Sequence, residues 1–168
     1  MAAALLVLRL FVGFSLAAHG TQKLFGWFGG YGLAGTGGFF EGLGFRPGQF
    51  FAAAAGLAET VGGLLTAAGF LNPIGPALIL SVVIVATVAV HLPNGFFGTN
   101  NGIELTSLYG LTCVLLAATG PGPYSLDDLL GWQVGAQTTW LILALAAVGS
   151  VTALVTRRAA HQAVRTAA

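Results

Sequence analysis

The chain has 168 residues, of which 56 % are hydrophobic and only 7 % are charged, whereas soluble domains average roughly 45–50 % apolar and 25 % charged residues. With a mean hydropathy of +0.87, this composition indicates an integral membrane protein of one domain and excludes a soluble enzyme. The net charge of +1 excludes the basic surface of a nucleic-acid-binding protein, and the single cysteine, Cys113, excludes an intramolecular disulfide, a CxxC dithiol and a cysteine zinc site.

The apolar runs predict an all-α integral membrane bundle of four core transmembrane helices and a fifth, C-terminal span. The first run continues from Ala2 to about Gly20, which is long enough to cross a hydrocarbon core of about 30 Å. A signal peptide is the alternative for this run, but the residues before Arg9 are apolar, unlike a charged n-region. The predicted spans cover residues 2–20, 50–70, 77–92, 103–119 and 138–155.

The connections between the spans differ in composition. Residues 25–49 are too rich in glycine for a stable span, yet their Phe, Trp and Tyr suit the membrane–water interface. We therefore expect an interfacial loop there, with a short surface helix over Gly37 to Gly44. Proline and glycine predict a tight turn at residues 72–76 and a loop after residue 119. A polar C-terminal tail covers residues 157–168.

Lysine and arginine in the loops predict the orientation, because short cytoplasmic loops carry an excess of both. With five spans, Lys23 and Arg46 fall on the same side as Arg157, Arg158 and Arg165 of the tail. The loops after spans 2 and 4 contain neither residue type. The expected orientation therefore has the N-terminus outside and the C-terminus in the cytoplasm.

Two charged residues lie inside predicted spans, where a charge is costly and usually has a partner. Arg9 lies about 15 Å before His19, and Glu59 lies about 13.5 Å after Phe50, at 1.5 Å per residue. Because consecutive spans cross the membrane in opposite directions, Arg9 and Glu59 are expected at a similar depth. Both lie on helix faces of small residues, which usually pack against other helices. We expect an intramembrane ion pair between Arg9 and Glu59, which orients the helices or acts as a proton relay or ligand clamp.

A second set of polar residues is predicted to gather at the cytoplasmic end of the bundle. Two imidazoles, an ammonium, a carboxylate and amides in one pocket could hydrogen-bond a polar headgroup such as a quinone carbonyl. Each residue also has a simpler explanation, such as lysine reaching lipid phosphates or a carboxylate at a helix N-terminus. The candidate pocket residues are His19, Gln22, Lys23, His91, Asn94 and Glu104.

A metal site is not predicted, since His19, His91 and Glu104 are too widely spaced to form a local ligand signature. The chain has no haem motif, dinucleotide fingerprint or dithiol, so no intrinsic cofactor is expected. Any electron-carrying centre would then belong to a partner protein or to a bound quinone.

Four segments of the chain form a recognisable pattern: R-L-F-V-G-F…H-G-T-Q-K-L (Arg9 to Leu24), G-L-A-E-T-V-G-G-L-L (Gly56 to Leu65), H-L-P-N-G-F-F…N-N-G-I-E (His91 to Glu104) and T-G-P-G-P-Y-S-L-D (Thr119 to Asp127). With them the chain resembles the DoxX family of small bacterial membrane proteins, related to the DoxD subunit of thiosulfate:quinone oxidoreductase. The resemblance covers roughly Leu8 to Leu129 and implies a four-helix bundle in the bacterial inner membrane, to which this chain adds its fifth apolar run. It also implies an association with redox enzymes and with oxidative-stress or sulfur metabolism, but no catalytic residues.

The leading hypothesis is an accessory membrane subunit that anchors a soluble oxidoreductase and binds a quinone headgroup. The alternative is a small proton-coupled transporter or lipid-binding protein, in which Glu59→Gln should abolish pH-dependent flux. A third interpretation is a structural assembly factor whose polar residues only orient helices. Besides the lipid bilayer and a redox enzyme, a second copy of the chain is a candidate partner, because small-residue faces favour self-association.

Overall fold

The computed structural model describes residues 2–166, with side chains described for residues 2–157. Within this range every regular element is a helix. Helix α4 continues through a π-helical turn at Thr87–His91, and short 3-10 turns lie in the loops. The α-helices are α1 (Ala2–Phe25), α2 (Gly32–Gly42), α3 (Gly48–Ala68), α4 (Ile74–Ala86), α5 (Glu104–Thr119), α6 (Leu126–Leu130) and α7 (Ala136–Thr166).

Four helices are long and apolar enough to cross a membrane, which confirms the predicted all-α membrane bundle. They cover Ala2–Phe25, Gly48–Ala68, Ile74–Asn94 and Ala136–Arg157. The predicted span over residues 103–119 is α5, whose 16 residues extend only about 24 Å. The chain is therefore a multi-pass membrane protein with a shorter apolar helix between its third and last long helices.

Several helix limits differ from those predicted. Helix α1 continues five residues past Gly20 and ends where Gly26 adopts φ +75°, a conformation that glycine adopts without strain. Helix α2 begins at Gly32, earlier than the short helix expected over 37–44, and Thr36 and Gly37 are buried. Helix α7 continues through the predicted polar tail to Thr166, while residues 167–168 lie outside the described residues.

The core of the bundle lies between α1, α4, α5 and α7. Its buried side chains include Leu16 from α1, Ile79 and Val83 from α4, and Cys113 from α5. Leu143 supplies the contribution of α7. Large apolar side chains also lie on the outer faces of α1, α3, α5 and α7, which suits helices whose solvent is lipid.

Glycines set the distance and the register between α1 and α3. A Cβ atom added at Gly13 would lie 2.5 Å from the carbonyl oxygen of Gly63 and 2.6 Å from the nitrogen of Ala67. A Cβ atom at Gly20 would lie 2.5 Å from the carbonyl oxygen of Gly56. The two backbones are therefore in contact, as small residues permit in membrane helices.

We expect Gly13→Ala to destabilise the bundle, because the added methyl group would meet backbone atoms that cannot move without separating the helices. Overpacking of this kind typically costs about 1–3 kcal/mol. Gly149→Ala in α7 is the matched control, since no atom lies within 4 Å of its added Cβ. Thermal unfolding in detergent measures both variants. Equal melting temperatures for the two would contradict the close α1–α3 packing.

Candidate functional site

Glu59 forms its ion pair with Lys23. Lys23 lies in the last turn of α1, and its ammonium group donates to Oε2 of Glu59. Glu59 is only 5 % exposed, and the side chain of Lys23 is 23 % exposed. A partly buried cation therefore compensates a buried carboxylate, which would otherwise be strongly unfavourable at this position.

The predicted pair between Arg9 and Glu59 is wrong, and the register of α1 against α3 gives the physical reason. The prediction placed the end of the first span near His19, but α1 continues to Phe25, about 9 Å further along the helix axis. Gly13 contacts Gly63, so Arg9 comes opposite the C-terminal end of α3. Glu59 instead lies near the level of Gly20, within reach of the long Lys23 side chain.

Arg9 lies at the opposite end of the bundle, where three segments meet. It is 2 % exposed, and its Nη2 donates to the carbonyl oxygen of Tyr124 over 2.6 Å. Its guanidinium also lies directly against Gly69, the residue that ends α3. Asp127 is close enough to interact electrostatically with the guanidinium. The compensating carboxylate thus comes from the loop region after α5.

Asp127, in the first turn of α6, has a structural role. Its two carboxylate oxygens accept hydrogen bonds from the backbone nitrogens of Leu71 and Asn72, each over 2.8 Å. The cap of α6 is Ser125, whose Oγ accepts from the nitrogen of Asp128. Asp127 therefore fixes the α3–α4 turn onto α6. Asp127 and Asp128 are the charged residues of the segment between α5 and α7, and in a chain with an intramembrane arginine they were the available signal.

A cavity of about 540 Å³ lies at the Lys23 end of the bundle, among α2, α3, α4, α7 and the end of α1. This volume falls within the roughly 300–1,000 Å³ typical of small-molecule sites. Its wall is mostly apolar, with small residues on α3 and α7, branched residues on α4 and phenylalanines from the region of α2 and α3. The lining phenylalanines are Phe39, Phe40, Phe45, Phe50 and Phe51.

Three ionisable side chains line this cavity: Lys23, Glu59 and His91. The opposite charges of Lys23 and Glu59 form an ion pair. Together these two residues therefore add no net charge to the cavity wall. An apolar cavity with a few convergent polar groups is the usual form of a site that orients an uncharged ligand.

The structure brings only part of the predicted pocket together. Lys23 and His91 line the cavity, whereas the other four residues make local contacts. His19 Nδ1 lies 3.0 Å from Gln22 Oε1, and Gln22 Nε2 donates to the carbonyl oxygen of Phe28. Asn94 donates to the carbonyl oxygen of Val90, and Glu104 accepts from the nitrogen of Gly98.

His91 ends the π-helical turn of α4, and the turn lines the cavity through Ala89, Val90 and His91. Such turns are rare and frequently mark functional sites. His91 Nδ1 lies 2.9 Å from the carbonyl oxygen of Asn101. Because a carbonyl oxygen only accepts, this contact requires the proton on Nδ1. Nε2 of the neutral ring is then an acceptor, and Nε2 of the charged ring is a donor.

The aromatic wall was not predicted as part of a site. Residues 25–49 were recognised as rich in aromatic residues, but the sequence placed them at the interface rather than around a cavity. Arg157 of α7 helps to fix this wall, since its Nε donates to the carbonyl oxygen of Leu43 and its guanidinium lies 5.6 Å from the ring centre of Phe45. This contact also places Arg157 at the same end of the bundle as Lys23.

Among the described residues, no group of three or more His, Cys, Asp and Glu side chains is arranged to hold a metal ion.

Comparison with known proteins identifies the family of this chain. Neither the curated proteins nor the solved structures contain a match to this chain. The family model DoxX matches residues 4–92, which include α1, α2, α3 and α4 and so most of the residues that line the cavity. The match covers more than half of the 168 residues, and it confirms the resemblance seen in the sequence. The chain belongs to the DoxX family.

Proposed function

We propose that this chain is a membrane subunit of a redox system, which binds a quinone headgroup in the cavity and anchors a soluble oxidoreductase. The observation that carries the proposal is the cavity itself. It combines about 540 Å³ of mostly apolar space with Lys23, Glu59 and His91 at its wall. The link to redox chemistry rests on the association implied by the DoxX family.

The charge of the cavity favours an uncharged ligand. Lys23 is already paired with Glu59, so an anionic headgroup would have to compete with a buried carboxylate for the same cation. A neutral ring with two carbonyl oxygens needs only hydrogen-bond donors. The Lys23 ammonium group has three donor hydrogens, and one contact to Glu59 leaves others for a ligand.

His91 suits a ligand that exists in a quinone and a quinol form. Its neutral ring, with the proton on Nδ1, accepts a hydrogen bond from a quinol hydroxyl through Nε2. Its charged ring donates to a quinone carbonyl through the same atom. The same nitrogen atom therefore serves both forms of the ligand. The quinone would supply the electron-carrying chemistry when it is bound.

The aromatic wall suits the flat ring of the headgroup. Phe45 packs against Phe40 with ring centres 5.8 Å apart, and against Phe51 at 5.3 Å. Rings at these separations interact favourably with one another and with a further flat ring in an offset or edge arrangement. The small and branched residues of α3, α4 and α7 leave apolar space for an isoprenoid tail.

Quinone binding to purified protein tests the ligand part of the proposal. We expect saturable binding of a short-chain quinone after bound lipid is exchanged, and at least a tenfold weaker affinity in Ala54→Phe. Ala54 lines the cavity and is exposed, so its replacement fills the site with little effect on the core. Ala144→Phe, on an exposed position of α7 outside the cavity, should bind like the wild type.

Two results would contradict this assignment. Equal affinities in the two phenylalanine variants would place any quinone outside the cavity. Displacement of the quinone by phospholipid at equal concentration would indicate a lipid site. The anchoring part is tested separately, by purification in mild detergent and mass spectrometry of the co-purified proteins. It fails if no oxidoreductase is recovered.

A further inference from the structure

The second cavity of the bundle lies at the Arg9 end and is independent of the proposed quinone site. Its volume is about 10 Å³, close to the roughly 10–15 Å³ that one water molecule requires. Arg9 lines it together with residues from α3, the α3–α4 turn and the start of the loop after α5. The polar side chains in this wall are Arg9, Thr66 and Asn72.

Arg9 has more donors than the surrounding protein satisfies. Its Nη2 donates to the carbonyl oxygen of Tyr124, but Nε and Nη1 are buried and have no hydrogen-bond acceptor among the described residues. Buried donors without an acceptor typically cost about 1–3 kcal/mol, and more when the group is charged. Two donors of one guanidinium thus require an acceptor that the described side chains and backbone do not supply.

The other two polar side chains of the wall each have acceptor capacity left. Thr66 Oγ1 donates its hydrogen to the carbonyl oxygen of Gly62 over 2.7 Å, so its lone pairs remain available. Asn72 Nδ2 donates to the carbonyl oxygen of Ala117 over 3.2 Å. Since a carbonyl oxygen only accepts, this bond fixes the orientation of the amide and leaves Oδ1 as an acceptor.

We propose that this cavity binds one water molecule, which accepts a hydrogen bond from Arg9 Nη1 and donates to Thr66 Oγ1 and Asn72 Oδ1. Nη1 is the guanidinium nitrogen that lies against Gly69 in the cavity wall, and three hydrogen bonds are typical of a buried water. The water links α1, α3 and the α3–α4 turn at a point where the protein supplies no direct bond between them.

The wall also excludes the main competing ligand of an arginine, a halide ion. A halide could accept from Arg9, but it would then face the lone pairs of Thr66 Oγ1 and Asn72 Oδ1. The positive charge of Arg9 is already opposed electrostatically by Asp127. A neutral ligand is therefore favoured over an anion.

A crystal structure of the full chain, grown with bromide in place of chloride, tests the proposal. We expect a single density within hydrogen-bond distance of Arg9 and Thr66, without an anomalous bromide signal. A bromide signal at this position would overturn the proposal. It would also be overturned if no density were present and Arg9 had turned to bond Asp127 directly.

Thr66→Val provides a matched pair with Thr60→Val in the same structure determination. Both threonines donate to the carbonyl four residues earlier in α3, but only Thr66 lines the cavity. We expect the density to be lost or much weakened in Thr66→Val and unchanged in Thr60→Val. Full density in Thr66→Val would show that the water is not held as proposed.

Discussion

Lys23→Met is expected to lower the free energy of unfolding by about 3 kcal/mol. The substitution leaves the Glu59 carboxylate buried without its cation, and breaking a buried pair from one side typically costs about 3–5 kcal/mol. The lower end of this range applies because the Lys23 side chain is 23 % exposed. Denaturant titration of the purified protein in detergent measures the change.

The double variant Lys23→Met with Glu59→Gln should recover most of this loss, because it removes both charges together. Arg46→Met is the matched control, since Arg46 is an exposed basic residue near the same end of the bundle. It should change stability by less than about 0.5 kcal/mol. A double-mutant cycle that showed stronger coupling of Glu59 to Arg9 than to Lys23 would restore the ion pair predicted from the sequence.

Asp127→Ala is expected to cause a loss of similar size at the other end of the bundle. The backbone nitrogens of Leu71 and Asn72 would lose their acceptor, and Arg9 would lose the carboxylate that opposes its charge. Each buried donor left without an acceptor costs about 1–3 kcal/mol, so a total of about 3 kcal/mol is expected.

The neighbouring residue supplies the control for this experiment. Asp128 is exposed and its side chain makes no hydrogen bond within the described part of the chain. Asp128→Ala should therefore leave the unfolding midpoint nearly unchanged. Hydrogen exchange adds a local measurement, because the amides of Leu71 and Asn72 should lose protection in Asp127→Ala alone. Equal effects of the two substitutions would contradict the structural role of Asp127.

Composition was sufficient to predict the class of the fold. Long apolar runs with few charges can satisfy their backbone hydrogen bonds in lipid only as helices or closed barrels, and their length fits helices. The same reasoning showed that Arg9 and Glu59 each need a compensating group, which the structure provides for both.

The identity of those partners depended on register, which the sequence did not determine. The polar residues from His19 to Lys23 suggested that the first span ended there, but the helix continues through them to Phe25. A difference of five or six residues moves a side chain by about 8–9 Å along the axis. That distance is enough to place Lys23, rather than Arg9, within reach of Glu59.

The cavity could not be predicted from the sequence because it is a space between helices. Of the six predicted pocket residues, Lys23 and His91 line it, and Glu59 was recognised only as part of an ion pair. The phenylalanines of residues 39–51 reach the cavity because α2 packs against α3. That contact joins segments whose pairing has no local signature in the chain.

Photoaffinity labelling with a quinone analogue tests whether the cavity is a quinone site. The protein in lipid nanodiscs is labelled with a tail-linked azidoquinone, and the modified peptides are identified by mass spectrometry. We expect labelling within residues 39–58 and 81–91, prevented by excess unlabelled quinone and absent from Ala54→Phe. Labelling that excess quinone does not prevent, or that falls on the outer faces of α5 and α7, would contradict a quinone site in the cavity.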